Sequence, residues 1–150
     1  ALASSKHHLG IPCREQLNTG DQTRRSMSKE AIPFSVGVIS AFNPLGKKAD
    51  AESNKLAHKM LKAEVDGMRL KYVERDGAYM GHQEKHLLIR NISRREIITL
   101  ADKYLQEAVL YGERDGDEYA FAWIEEGETL KCKRAKAQWP VRLPRFNNAS

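Results

Sequence analysis

The chain has 150 residues, 41% hydrophobic and 30% charged, which suits one domain of ordinary size and excludes a wholly disordered chain. No apolar run approaches the roughly 18 residues of a membrane span, and the N-terminus as given carries no apolar signal segment. The formal charge of +5 is gathered at the ends: Leu130 to Ser150 holds six basic residues and no acid, whereas the stretch from Ala31 to Thr129 holds 14 basic and 17 acidic residues.

Residues 1–30 are rich in Ser, Thr, Gln, Asn and His, without helix or strand spacing, and read as an extended polar N-terminal arm. A single α+β domain is expected over residues 31–130. Phe34 to Ser40 is a short β-branched run, a buried strand that stops at the turn Asn43-Pro44-Leu45-Gly46. Asp50 to Val65 is an amphipathic helix, with Leu56, Met60, Leu61 and Val65 as its apolar face, Asp50 or Ser53 as its cap and Asp66-Gly67 as its end. Met68 to Arg75 alternates apolar and charged residues as a half-exposed strand, and Asp76-Gly77 signals a hairpin turn. His86 to Arg90 is a second buried strand. Ser93 with Glu96 forms a capping box ahead of a helix whose apolar face is Ile97, Ile98, Ala101, Tyr104 and Leu105. Glu107 to Gly112 is another strand, Asp115-Gly116 turns the chain, and Tyr119 to Ile124 with Thr129 to Lys133 reads as a terminal hairpin or one last strand. The order is that of a ferredoxin-like split βαβ (β-α-β-β-α-β) fold plus a C-terminal strand or hairpin, with extended N- and C-terminal arms.

That topology brings distant residues to one end of the sheet. The end of the first strand (Asn43), the start of the first helix (Asn54), the start of the third strand (Glu84, with His86) and the start of the fourth (Gln106) converge there, with Tyr111 nearby. Amides and a carboxylate gathered at a helix N-terminus suit a small polar ligand; the same side chains equally suit bracing of loop backbone. Residues 131–150 form a basic C-terminal tail. Its Lys131, Lys133, Arg134, Lys136, Trp139, Arg142 and Arg145, with Phe146, are candidates for contact with a protein neighbour or with nucleic acid. His82 and His86 lack the spacing of a zinc site, so no metal is expected. No nucleophile elbow or phosphate-binding glycine loop occurs, no cofactor is implied, and a role without catalysis is expected.

The run F-x-V-x-V-I-S-A-F-N-P from Phe34 to Pro44 is followed by Asn54 and Leu61. Later come Glu84 before His86-Leu87-Leu88-Ile89, and then Leu100-Ala101-x-x-Tyr104-x-Gln106-x-Ala108-Val109-x-Tyr111-Gly112. Over about Phe34 to Gly112 this resembles the bacterial and phage family called domain of unknown function 3293. Its pattern is an I-T-A-x-N-P strand end, a downstream Asn, a W-x-E-x-S strand entry and a G-Q-N-A-V segment. Leu105 stands where that family tends to have Gly, and Glu107 where it tends to have Asn. The resemblance implies Asn43, Asn54, Glu84 and Gln106 as site positions and no established activity.

Two arms on one small domain suggest a non-enzymatic assembly or adaptor protein of a larger complex, such as a phage virion component, that grips protein neighbours. The alternatives are a small-ligand or nucleotide-binding module using the Asn43/Glu84/Gln106 edge, and a nucleic-acid binder working through the basic tail. The expected location is inside a cell or a virus particle, with no membrane contact.

Overall fold

Three β-branched residues within five make 35–39 a strand, and it becomes the sheet's central one. The computed structural model describes residues 31–146; the arm expected over residues 1–30 and the last four residues of the tail lie outside the described residues. β1 (Ser35–Ile39) leads through a 3-10 turn at Pro44–Gly46 to α1 (Ala51–Gly67). Then follow β2 (Tyr72–Tyr79), β3 (His82–Arg90), α2 (Arg94–Lys103), β4 (Ala108–Asp115), β5 (Glu118–Glu125) and β6 (Glu128–Lys136). The strands form one sheet in the order β2-β3-β1-β4-β5-β6, and every neighbouring pair is antiparallel. Over the described residues the protein is therefore α+β, with a six-stranded antiparallel sheet and two α-helices. No helix among the described residues is long and apolar enough to cross a membrane.

Every residue of β1 is buried, so its two-residue alternation feeds two cores. Ile39, Leu87, Ile89, Val109, Tyr111 and Ile124 pack with Leu61 and Val65 of α1 and Ile97 and Leu100 of α2. Both helices thus cover one face. At Gly37 a Cβ would stand 2.6 Å from the Ile92 side chain and 2.9 Å from Ile97, so glycine is what lets the start of α2 approach β1. On the opposite face lie Val36, Val38, Leu88, Tyr119 and Phe121.

The helix ends follow their capping residues. Asp50 accepts from the Ser53 N–H at 2.8 Å, and in α2 the Ser93 hydroxyl and Glu96 carboxylate exchange bonds of 3.1 and 2.9 Å with each other's backbone N–H. The buried stripe of α1 corrects the expected one. It is Asn54, His58, Leu61 and Val65, whereas Leu56 and Met60 are 60% and 52% exposed. At about 100° per residue, Leu56 stands about 140° around the helix from Leu61, too far to share its face. Asn54 and His58 take the inner positions because each has a partner there: Asn54 bonds the buried Asn43, and His58 Nε2 lies 2.8 Å from the exposed Glu74 of β2.

The β2–β3 hairpin also turns later than expected. Its turn is Met80-Gly81, with φ of 52° and 83° at the two central positions. Asp76 and Gly77 lie inside β2 instead, Asp76 opposite Lys85 with its carboxylate 2.9 Å from the ammonium, and Gly77 opposite Glu84.

The C-terminal boundary at residue 131 is corrected as well. It falls within β6, and the chain after β6 lies on the sheet face that the helices leave open. Val141 is fully buried there, and Trp139, Leu143 and Phe146 pack against the same cluster. The physical reason is the apolar face of Val36, Leu88, Tyr119 and Phe121, which needs a cover, and these four side chains supply it. On this reading Val141→Ala destabilises the protein by about 1–3 kcal/mol, while Arg142→Ala next to it changes stability by less than about 0.5 kcal/mol. Urea denaturation of the two variants checks this; equal small effects would mean that the segment is not part of the core.

Candidate ligand-binding cleft

Antiparallel pairing of β1 with β3 sets Ile39 opposite Leu87. The chain beyond Ile39 therefore emerges beside the start of β3, and Asn43 meets Glu84. Asn43 has a left-handed backbone, φ 50°, which Asn tolerates better than most residues. Its N–H donates to Asn54 Oδ1 at 2.8 Å, and its own Oδ1 accepts from Asn54 Nδ2 at 3.0 Å and from the Ala49 N–H at 2.9 Å. Its Nδ2 donates to Glu84 Oε2 at 3.1 Å. Gln106 ties the start of β4 to the same end of the sheet, donating through Nε2 to the carbonyls of Phe42 and Tyr104 at 3.0 and 3.1 Å.

Beside this cluster opens a cleft of about 240 Å³. Asn43, Glu84, His86 and Gln106 line its polar end, and Val38, Leu88 and Leu110 are among its apolar lining residues. Tyr79, Trp123 and Phe146 line it as well, with Leu143 and Pro144 of the C-terminal segment. The three rings form a row: Tyr79 stacks on Trp123 with centroids 6.2 Å apart, and Trp123 meets Phe146 at 5.6 Å.

Glu84 is 4% exposed. Burial lifts its carboxyl above the usual carboxylate range, and the Asn43 donor offsets only part of that. Its Oε2 is bonded to Asn43, while its Oε1 stands 3.7 Å from His86 Nε2, longer than a hydrogen bond. Burial pushes the His86 imidazole below its usual range, which favours the neutral ring. Tyr79 is pushed up to about 12, first by burial and then by Glu107, whose carboxylate accepts its hydroxyl at 3.2 Å. The polar end of the cleft thus offers a carboxylate with one oxygen left for a donor and an imidazole beside it.

Asn43, Glu84 and Gln106 meet at this end of the sheet and line the cleft. Asn54 comes to the same cluster but stands behind it as a brace and does not line the cleft. Tyr111 lies elsewhere: it packs in the helix-side core and donates to Glu113 at 3.0 Å. Three of the basic residues of the C-terminal segment make side-chain contacts within the fold. Arg134 pairs with Asp115 and Glu118 at 3.0 and 2.9 Å. Lys131 stands over the Trp123 ring, and Lys133 over Phe146 while bonding the Arg145 carbonyl. Arg90 stacks on Trp139. Lys133, Lys136, Arg142 and Arg145 are all exposed. The aromatic row escaped the sequence reading; the available signal was Trp123 on the same side of its strand as Tyr119 and Phe121.

A sheet face half covered by its own C-terminal segment, with a buried carboxylate at one end, makes this an α+β domain with a small, partly open cleft. The family model described as "Protein of unknown function (DUF3293)" matches residues 39–109 of the chain, which supports membership in that family. The matched span holds Asn43, Asn54, Glu84 and Gln106. No curated protein and no solved structure matches the chain. Leu105 has φ 55°, a backbone that glycine takes without strain, which accounts for the glycine in the resembled pattern at this position.

The raised carboxyl of Glu84 has a definite consequence for stability. The folded protein keeps this proton at a pH where the unfolded chain has released it, so stability falls as pH rises through and above the usual carboxylate range, then levels off. Glu84→Gln removes that loss. The stability difference between variant and parent, from urea denaturation at a series of pH values, therefore shifts in the variant's favour from acid pH toward neutrality. A difference independent of pH would contradict it.

Proposed function

We propose that the protein is a small-molecule-binding module and that the Asn43/Glu84/Gln106 cleft is its site. The single observation that carries this is a buried carboxylate aimed, with one oxygen unspent, into a cleft large enough for a molecule of roughly ten to fifteen heavy atoms. A group that only braced the loop would have no use for the apolar space beside it. The reading treats the first four strands and both helices as a ferredoxin-like split βαβ core, supported by the order β2-β3-β1-β4, with β5 and β6 added at the β4 edge. In that core the end of β1 and the starts of β3 and β4 share one edge, which is why the site sits there.

The assembly or adaptor reading, with a phage virion as its setting, keeps less support. It rested on two free arms, and residues 137–146 are spent on their own sheet. The nucleic-acid reading meets the same difficulty, since Arg134 is neutralised by two acids and Lys131 and Lys133 lie against aromatic rings.

Ligand-observed NMR against a diverse set of small organic molecules tests the module reading. Binders are expected, and Leu110→Trp, which fills the cleft from its apolar side, is expected to weaken them at least tenfold while the protein stays folded. Binding that survives this substitution would place the site elsewhere.

A further inference from the structure

We infer that the cleft takes a planar nitrogen heterocycle that presents an N–H edge to Glu84, the chemistry of a free nucleobase, and that it takes it without a phosphate. This rests on the reading of the cleft as a small-molecule site and names the ligand class.

Three features of the cleft set that class. The first is the acceptor. Glu84 Oε2 is held by Asn43, and among the described residues none donates a hydrogen bond to Oε1, His86 Nε2 standing at 3.7 Å. A carboxylate oxygen that faces the cleft on a side chain 4% exposed gains from a ligand N–H, a charge-assisted hydrogen bond. His86 beside it, held neutral by burial, offers a second, uncharged partner for a ring nitrogen or amino group. Together they match an edge on which a donor and a second polar group stand side by side.

The second feature is shape. Val38, Leu88 and Leu110 present branched aliphatic side chains, and Trp123 and Phe146 present rings. A flat aromatic body buries against such surfaces with little loss of rotational freedom. The volume of about 240 Å³ suits one or two fused rings.

The third is charge. Among the described residues that line the cleft, Arg75 is the one formally cationic side chain, while Asp76, Glu84 and Glu107 are acidic. Phosphate recognition calls for several N–H donors or cations converging on one point, as at a helix N-terminus or a paired Arg/Lys site. The cleft instead places a carboxylate at its polar end, which repels a phosphate. A permanently cationic ligand is disfavoured on the aromatic side, where Lys131 stands 5.9 Å from the Trp123 centroid and Lys133 5.4 Å from that of Phe146. What remains is a neutral ring system with an N–H edge.

The test uses four probes on the full chain: adenine, cytosine, adenosine 5′-monophosphate, and quinoline as a flat ring without an N–H. Binding is read from the amide signals of Glu84 and His86 and the indole N–H of Trp123 in two-dimensional NMR. Adenine or cytosine is expected to shift these signals, more tightly than quinoline or the monophosphate. Glu84→Gln is expected to weaken that binding roughly ten- to hundredfold, as loss of a hydrogen bond to a charged group does. Should Glu84→Gln fold poorly, His86→Ala serves as the second variant, with a loss of roughly tenfold expected. Quinoline binding as tightly as the bases, with neither substitution affecting either, would overturn the inference and leave the small-molecule reading standing. Tighter binding by the monophosphate than by adenine would overturn it too. No shift with any of the four probes likewise overturns it, and if a diverse small-molecule set also leaves these signals unmoved, the module reading falls with it.

Discussion

Asn43 leaves β1 in a left-handed conformation, and four hydrogen bonds hold it there: two exchanged with Asn54, one from the Ala49 N–H and one given to Glu84. The rest of this end of the molecule depends on that residue. Through Asn54 it ties the first turn of α1 to the end of β1. Through Ala49 it shapes the loop that carries Leu45 and Gly46, both also at positive φ. Through Glu84 it joins the loop to the start of β3 and gives a buried carboxylate one of the donors it needs. Burial of that carboxylate without a donor would cost more than the bond itself contributes, since the charge would have lost water and gained nothing. The clamp is therefore both a brace for the turn and the reason Glu84 can stay buried beside the cleft.

The two faces of the sheet are used differently. The helices seal one face with aliphatic side chains, and Gly37 lets α2 come close enough to close it. The other face is covered by a single extended segment, residues 137–146, which reaches from Val141 at the centre to Phe146 at the cleft. One strand-like cover on a six-stranded sheet leaves space at its end. That space coincides with the loop Asn43 organises, so a polar cluster and an apolar pocket meet at one place.

Much of this was legible from residues alone because strand direction is a global constraint. Once the order strand–helix–strand, strand–helix–strand is read, Asn43, Glu84 and Gln106 must approach one another, although about 40 and 20 residues separate them. Local capping was legible for a similar reason: Ser93 and Glu96 satisfy specific backbone donors whatever surrounds them. Helix rotation was not. In α1 two stripes compete, and the more apolar one, with Leu56 and Met60, loses to a stripe holding Asn54 and His58, because those two find partners outside the helix, 11 and 16 residues away. The β2–β3 turn was hidden by Asp76-Gly77, a stronger turn signal than Met80-Gly81, which pairing with β3 overrides. The C-terminal cover was hidden because the two-residue alternation of Trp139, Val141 and Leu143 is short and interrupted by Pro140, Arg142 and Pro144, which read as a basic tail and not as a strand.

The dependence of the site on the Asn43–Glu84 bond is measured most directly by a double-mutant cycle. Asn43→Gly removes the side chain and tolerates the left-handed backbone; Glu84→Ala removes the carboxylate. Stability of the parent, both single variants and the double variant, from urea denaturation at neutral pH, yields the coupling between them. The account predicts a favourable coupling of about 1–3 kcal/mol, as for a buried hydrogen bond to a charged group. Effects that add to within about 0.3 kcal/mol would contradict it and would leave Glu84 buried for some other reason.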